Sequence, residues 1–499
     1  MKNKTTIIKK GAPESISSRF FLYRWRYVLA IIFMLGLAVN LIVLALIYAP
    51  TGLRQAEINQ VSNLNLSQLF SSSEVIDFPY KLLQILSIKI LGLTILSIKL
   101  PSLIISFMIA FGIFWLISRW INRKIAVVTI ILLISNSHFV FLAQDGTVNI
   151  MLLFWQVVIM ILLTKIVQLL PTAHQLKSPK ITSNLAILFP LLFTIVGLSL
   201  HTPLTFFLLI IILIAMFAHP KLRLYLSNIK FNLILPGIIA FGLTIGPLLL
   251  QIIQSPNLLI KLSGANFTST DWYRPLVNIV DFWSVSPQLF IQPIFTSGAL
   301  VIILIGFSFL LKQSFSARSL IILLFFSFSL VASVINQDPS VIMILPLTIL
   351  LGYGLHNLTT SWMSIFPINP YPRFIGILLL TITIGTLVLA NIANLLKVYA
   401  YTPSIVNQYN QDLIILNQFI KTNNQATLVV NDESEYNFYR HIKNKNLTII
   451  KTNLIDRAKT IIYTKKSFSK FDMVAPSQIL TSSASRDFDR FYVYQKTTK

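Results

Sequence analysis

The chain has 499 residues, of which 55% are hydrophobic and 11% charged, and its mean hydropathy is +0.75. Those values exclude a water-soluble globule and describe a chain that crosses a bilayer many times. With 40 Lys and Arg against 16 Asp and Glu the net charge is +24, and the lack of cysteine excludes a disulfide framework, a thiolate metal site and a thiol nucleophile.

The charge is not spread evenly. Lys2, Lys4, Lys9, Lys10, Arg19, Arg24 and Arg26 crowd the first 26 residues, and cations recur in the connections 119–124, 177–180, 221–230 and 312–318. By the positive-inside rule these segments are expected on the cytoplasmic face, with membrane lipids rather than nucleic acid as their partners. Apolar runs long enough to cross the hydrocarbon layer fall at 27–49, 96–118, 124–142, 147–170, 184–200, 203–219, 231–254, 291–311, 318–335, 340–359 and 374–397. The first is too long for the core of a cleaved signal peptide and is expected to stay as a span. About eleven transmembrane helices therefore follow a basic cytoplasmic tail at 1–26. The odd count places the region 401–499 outside, as an extracytoplasmic domain of a multi-pass cell-membrane protein.

Two outer connections within the transmembrane domain 27–400 are longer than turns. In the first, 50–95, the stretch Lys81 to Leu93 places Leu82, Leu83, Leu86, Ile90 and Leu93 at helical spacing with lysines between them, the pattern of a helix lying in the membrane interface. The second, 255–292, carries Asp271-Trp272-Tyr273-Arg274 and Asp281-Phe282-Trp283, whose aromatic residues read as interfacial anchors. After Lys397 the long apolar runs stop. Helices are predicted over Gln411 to Lys421 and Glu433 to Lys443, and strands over Ala426 to Asn431, Leu447 to Thr452, Thr460 to Thr464 and Arg490 to Gln495. This small α/β domain carries no Gly-rich phosphate loop, which suits a docking or acceptor-guiding module.

Several motifs occur in a telling order. The first outer loop opens Pro50-Thr51-Gly52-Leu53-Arg54-Gln55-Ala56-Glu57, Pro79-Tyr80 precede the amphipathic helix, and Lys99-Leu100-Pro101-Ser102 enters the second span. Leu142-Ala143-Gln144-Asp145-Gly146-Thr147 then precedes the fourth. This order resembles the GT-C superfamily of membrane glycosyltransferases, more narrowly the bacterial relatives of protein O-mannosyltransferases and lipid A aminoarabinose transferase. The likeness runs over residues 20–400.

The resemblance implies a polytopic α-helical GT-C-like fold that transfers a sugar on the outer face. The donor would be a polyprenyl-phosphate sugar, and the acceptor a protein, lipid or polysaccharide of the envelope. A first-loop carboxylate would act as general base while cationic groups neutralise the departing phosphate. No cofactor is assigned, and a divalent cation is left open, with Asp338 as a weak ligand candidate. Relatives carry an Asp-Glu pair where this chain has Ala56-Glu57; aligned instead on Arg-x-Ala-Glu, their Asp falls opposite Thr51. Either way no aspartate occurs between Pro50 and Ser73.

Glu57 therefore reads as a displaced base or as an ion-pair partner of Arg54 three residues earlier. Asp145 reads as a base or as the cap of a helix beginning near Gly146. Glu74 and Asp77 read as solvated loop carboxylates. Arg54, Lys81, His201, Lys261 and Arg274 are the candidate contacts for the donor phosphate. Against that role stand snorkelling for Lys81 and a helix-start position for His201 ahead of Thr202-Pro203. Two other classes stay open: a catalytically silent relative that binds lipid or acceptor as a scaffold, and a transporter or flippase, which midplane charges would mark.

Overall fold

The computed structural model describes residues 52–64, 75–176, 179–227, 231–264, 295–313, 316–335, 340–402, 408–422, 425–442, 444–451, 460–468, 475–482 and 489–495, with a few single positions besides. The expected first span at 27–49, Thr51, Glu74, Arg274 with the aromatic clusters around it, and Asp338 lie outside those segments.

Strand β1 (Leu53–Arg54) and helix α1 (Gln55–Ser62) open the first loop, and α2 (Phe78–Leu91) follows. Helix α2 is the amphipathic helix expected there, but it is inside out. Leu82, Leu83, Leu86 and Ile90 are exposed while Gln84 and Ser87 are buried, the arrangement of a helix whose outer face meets lipid rather than water. Helix α3 (Ile95–Trp120) starts at Thr94, whose side chain accepts the Ser97 N–H at 3.1 Å while Ser97 Oγ accepts the Thr94 N–H at 2.9 Å. Pro101, inside α3, has no N–H to offer the Ser97 carbonyl. Ser87 Oγ donates to that carbonyl instead, at 2.6 Å, so the proline docks α2 onto the first turns of α3.

Helices α4 (Arg123–Ser135) and α5 (Ser137–Gln144) meet at 65°. The single span expected at 124–142 is thus broken. Asn136 is the cause: its side-chain oxygen accepts the N–H groups of His138 and Phe139 at 3.0 and 3.2 Å and starts a new helix in a new direction. The bundle continues with α6 (Ile150–Leu176), α7 (Pro179–Ser199), α8 (Thr205–Ala218), α9 (Pro220–Ser227), α10 (Phe231–Gln254) and α11 (Asn257–Ser263). It closes with α12 (Ser297–Lys312), α13 (Ala317–Ile335), α14 (Ser340–Ile365) and α15 (Pro370–Tyr401). Among the described residues five helices are long and apolar enough to span alone, or six if the bent pair counts as one, and four apolar helices are shorter. Helix α14 lies at the centre of the bundle, with 78% of its apolar window buried, whereas α10 and α15, at 11%, face the lipid.

Beyond α15 the chain forms β2 (Tyr409–Asn410), α16 (Asp412–Thr422), β3 (Ala426–Val430), α17 (Glu433–Tyr439), β4 (Leu447–Lys451), β5 (Thr460–Thr464), α18 (Lys465–Phe468), β6 (Gln478–Thr481) and β7 (Asp489–Gln495). The sheet order is β4-β3-β5-β7-β6, with β3 parallel to β4 and β5, and β7 antiparallel to β5 and β6. Strand β3 is buried at every position, as a central strand covered on both faces must be. The pattern missed β6, a mostly exposed edge strand with no apolar alternation to betray it.

Strand β2 leaves this sheet and pairs antiparallel with β1, setting Leu53 opposite Asn410 and Arg54 opposite Tyr409. Arg490 holds this strap in place by clasping the Asp412 carboxylate at 2.6 and 2.7 Å while Asn410 Nδ2 donates to it at 2.7 Å. Leu53, Val61, Ile88 and Ile98 share one apolar core with Leu416, Phe419, Leu428 and Phe438. The first loop and the C-terminal sheet therefore fold against each other. Gly52 makes the pairing possible: its φ is +148°, and a Cβ there would sit 2.5 Å from the Asn410 carbonyl oxygen. Gly52→Ala is expected to cost about 1–3 kcal/mol and to speed proteolytic cleavage between α15 and β2; an unchanged cleavage rate would show that the strap does not depend on this approach.

Candidate active site

Arg54 ends β1, and Glu57 lies three residues on, in the first turn of α1. The Glu57 carboxylate folds back over its own helix start, where Oε2 accepts the Arg54 N–H at 2.7 Å. Its Oε1 accepts the Gly146 N–H at 2.6 Å, from the turn between α5 and α6. A Cβ on Gly146 would lie 2.9 Å from that oxygen and 2.8 Å from Ile98 Cγ2, so glycine is required for the contact. Lys99, in the second turn of α3, places Nζ 3.9 Å from Glu57 Oε1. The Arg54 side chain pairs elsewhere: Nη2 lies 2.5 Å from Asp145 Oδ1, and the guanidinium covers the Phe141 ring at 4.9 Å. Thr147 Oγ1 donates to the other Asp145 oxygen at 2.5 Å.

Two carboxylates and two cations thus meet where water barely reaches, Glu57 being 1% exposed and Asp145 3%. Burial pushes the Glu57 carboxyl above the usual carboxylate range; Lys99 opposes the rise and the Asp145 charge adds to it. Burial works against the charge on Arg54, yet the neighbouring Asp145 carboxylate holds the guanidinium more firmly protonated. Tyr409, on the strap, covers Lys99 with its ring at 5.6 Å, and burial pushes its phenol well up. Beneath the cluster Gln84 donates to the Gly146 carbonyl at 3.0 Å and to the Ile98 carbonyl at 3.3 Å, and it accepts from Gln60 at 3.0 Å. Tyr80 and Ser102 share a hydrogen bond of 2.7 Å.

The structure brings Arg54, Glu57 and Asp145 together and leaves Lys81, His201 and Lys261 apart from them. The expected ion pair of Arg54 with Glu57 is replaced by a backbone bond, because the Arg54 side chain is drawn to Asp145. Asp145 does not cap the next helix, which begins at Ile150; it ends α5. His201 is buried with Nδ1 3.1 Å from the Val75 carbonyl oxygen and Nε2 3.0 Å from that of Thr244, so its ring bridges the first loop and α10. Lys261 is exposed on α11. Asp77 is not solvated as expected. It is half-buried with φ 61°, its N–H donates to the His201 carbonyl at 2.8 Å, and removal of the carboxyl from water raises it to about 7 against the opposing effect of Lys81. Sequence reasoning singled out Lys99 as part of the motif entering the second span but not as a site residue. It had no signal for Tyr409. Among the described residues no three His, Asp or Glu side chains converge to hold a metal.

No protein-family model and no curated protein matches the sequence. Solved structures match in fold. ArnT from Cupriavidus metallidurans bound to undecaprenyl phosphate aligns over 93% of this chain and 97% of its own, with a TM-score of 0.53 at 11% identity. Its apo form aligns over 94% and 98%, with a TM-score of 0.56 at 10% identity. The chain has a GT-C fold. The same GT-C fold matches the archaeal oligosaccharyltransferase AglB from Archaeoglobus fulgidus, in complex with an inhibitory peptide and a dolichol-phosphate, over 86% of this chain and 61% of AglB, with a TM-score of 0.54 at 10% identity. Within the GT-C fold of this chain, the charge cluster lies at one end of the bundle, where the first loop, the start of α3 and the α5–α6 turn meet.

Two outcomes are expected. Arg54→Met leaves Asp145 buried without its cation and should cost about 3–5 kcal/mol, part of which Asp145→Asn should restore in the double variant; additive losses in thermal unfolding would show that the pair is not coupled. Asp77 has a folded-state pKa above that of the unfolded chain, so its contribution to stability is full below about pH 4 and is lost as pH rises through about 7. Asp77→Asn keeps a side chain that tolerates left-handed backbone, and its melting temperature should pull further above the parent's between pH 5 and pH 8. A constant difference would contradict this.

Proposed function

We propose that the protein is a membrane glycosyltransferase. It moves a sugar from a polyprenyl-phosphate-linked donor to an acceptor of the cell envelope on the outer face, with the N-terminus cytoplasmic. The observation that carries this reading is the buried cluster of Arg54, Glu57, Lys99 and Asp145 at the first loop of a GT-C fold. The capture of ArnT with undecaprenyl phosphate and of AglB with dolichol-phosphate supports a lipid phosphate as the ligand here.

In such a transfer the acceptor oxygen bonds to the sugar carbon while the bond from that carbon to the phosphate oxygen breaks. The acceptor proton goes to a base and the electron pair leaves with the lipid phosphate. The two carboxylates suit different parts. Glu57 has both oxygens held by backbone N–H groups, which cannot turn away, and it fixes the loop. Asp145 is paired with the Arg54 guanidinium on one oxygen and met on the other by the Thr147 hydroxyl, which a side-chain rotation can withdraw, so Asp145 is the base. Lys99, 3.9 Å from Glu57 Oε1 and beneath the Tyr409 ring, is the cation for the departing phosphate.

A second reading, a silent relative that binds lipid or acceptor as a scaffold, is favoured by one specific observation. No aspartate occurs between Pro50 and Ser73, and the one carboxylate in that stretch, Glu57, is engaged on both oxygens. Liposomes holding the purified protein and a panel of polyprenyl-phosphate sugars separate the two. Transfer by the parent should fall about 10²–10⁴-fold in Asp145→Asn with donor binding retained, whereas Lys99→Met should weaken donor binding itself. Donor binding by the parent with no transfer from any donor would assign the scaffold role.

A further inference from the structure

Helix α6 leaves the charge cluster at Ile150 and runs for 27 residues. From Ile159 onward its flank borders a cavity of about 290 Å³, walled also by α7, α8, α9 and α10. At about 1.5 Å per residue this cavity begins roughly 14 Å down the helix from the cluster, in the opposite half of the bundle. Every side chain lining it is apolar, among them Ile166, Phe189, Phe193, Ala215 and Leu222, so it excludes water, a sugar or a phosphate. It is not sealed. Leu213 lines it and is 53% exposed, which opens the cavity to the lipid-facing flank.

The rim has a different character. Leu222 of α9 lines the cavity while Lys221 and Arg223, on either side of it, are exposed. On the face of α6 turned away from the cavity, Lys165 sets its ammonium over the Trp115 ring of α3 at 5.5 Å, where Arg119 also reaches at 5.7 Å. Tryptophan beside cations is the mark of the boundary between lipid tails and head groups. The charge in this part of the chain has one sign: no Asp or Glu occurs between Asp145 and Asp271, whereas Lys165, Lys177, Lys180, Lys221, Arg223 and Lys230 do.

We infer that this cavity holds an acyl chain of an anionic phospholipid whose head group lies against Lys221 and Arg223. An apolar slot open to the bilayer takes a hydrocarbon tail without displacing bound water, and a basic rim at head-group level selects the negative lipid over the zwitterionic one. The bound tail fills the space between α7, α8 and α10, in the half of the bundle away from the charge cluster, and the inference stands whether or not the chain transfers sugar.

Native mass spectrometry of the full chain in detergent, titrated with phosphatidylglycerol, phosphatidylethanolamine or polyprenyl phosphate, tests this. The parent should bind phosphatidylglycerol more tightly than phosphatidylethanolamine. Lys221→Gln with Arg223→Gln, at exposed positions, should lower the phosphatidylglycerol affinity about thirtyfold and leave phosphatidylethanolamine unchanged. Ala215→Leu, which fills the cavity, should weaken both. Equal binding of the two phospholipids by the parent, or a phosphatidylglycerol affinity that the two rim substitutions do not change, would overturn the inference. So would displacement of bound phosphatidylglycerol by a lower concentration of polyprenyl phosphate, which would give the cavity to the carrier lipid.

Discussion

Glu57 and Asp145 are out of water, and a buried carboxylate costs several kcal/mol unless it is met by charge and hydrogen bonds. Neither is met from within its own segment alone. Glu57 needs Gly146 from the α5–α6 turn and Lys99 from α3, and Asp145 needs Arg54 from β1. The strap then closes over Lys99 with Tyr409. Withdrawing any one of these segments while the others stay packed would leave an ion buried and unpaired, so the contacts support one another. The first loop, the start of α3 and the C-terminal sheet are for this reason one cooperative unit.

The same unit explains the inverted face of α2. A helix at the edge of a membrane protein meets lipid on its outer side, so its leucines turn outward. Its polar side chains then find partners inward, Ser87 on the carbonyl that Pro101 leaves open and Gln84 on the backbone of Gly146 and Ile98. A proline that would weaken a soluble helix here supplies an acceptor that fixes α2 against α3. The geometry of the cluster follows, since Lys99 and Ile98 are carried on those same turns.

Charge divides the bundle into two ends with different chemistry. At the cluster end cations and carboxylates balance, and the side chains are held in place by hydrogen bonds. In the other half the connections carry cations, the cavity between helices is apolar, and Lys165 and Arg119 gather at the Trp115 ring. The proposed lipid-phosphate donor belongs to the balanced end, where Lys99 stands 3.9 Å from Glu57. A two-tailed anionic lipid suits the other.

The sequence by itself determined where the chain is helical and apolar, where strand alternation replaces it, and which residues stand out against that background. Those are properties of a few consecutive residues, so Thr460–Thr464 and the amphipathic pattern after Pro79 could be read directly. The bend at Asn136 was also locally encoded, in a capping residue within an apolar run, although span length hid it. The tertiary structure alone decided which charge meets which. Arg54 had a carboxylate three residues away and took Asp145 instead; Asp77 and His201 looked like loop and helix-start residues and became joined by a backbone hydrogen bond. Nothing in local spacing ranks such partners, because the energy of an ion pair depends on how far both groups are removed from water. That is settled when α3, α5 and a strand more than 350 residues along the chain from Arg54 come together.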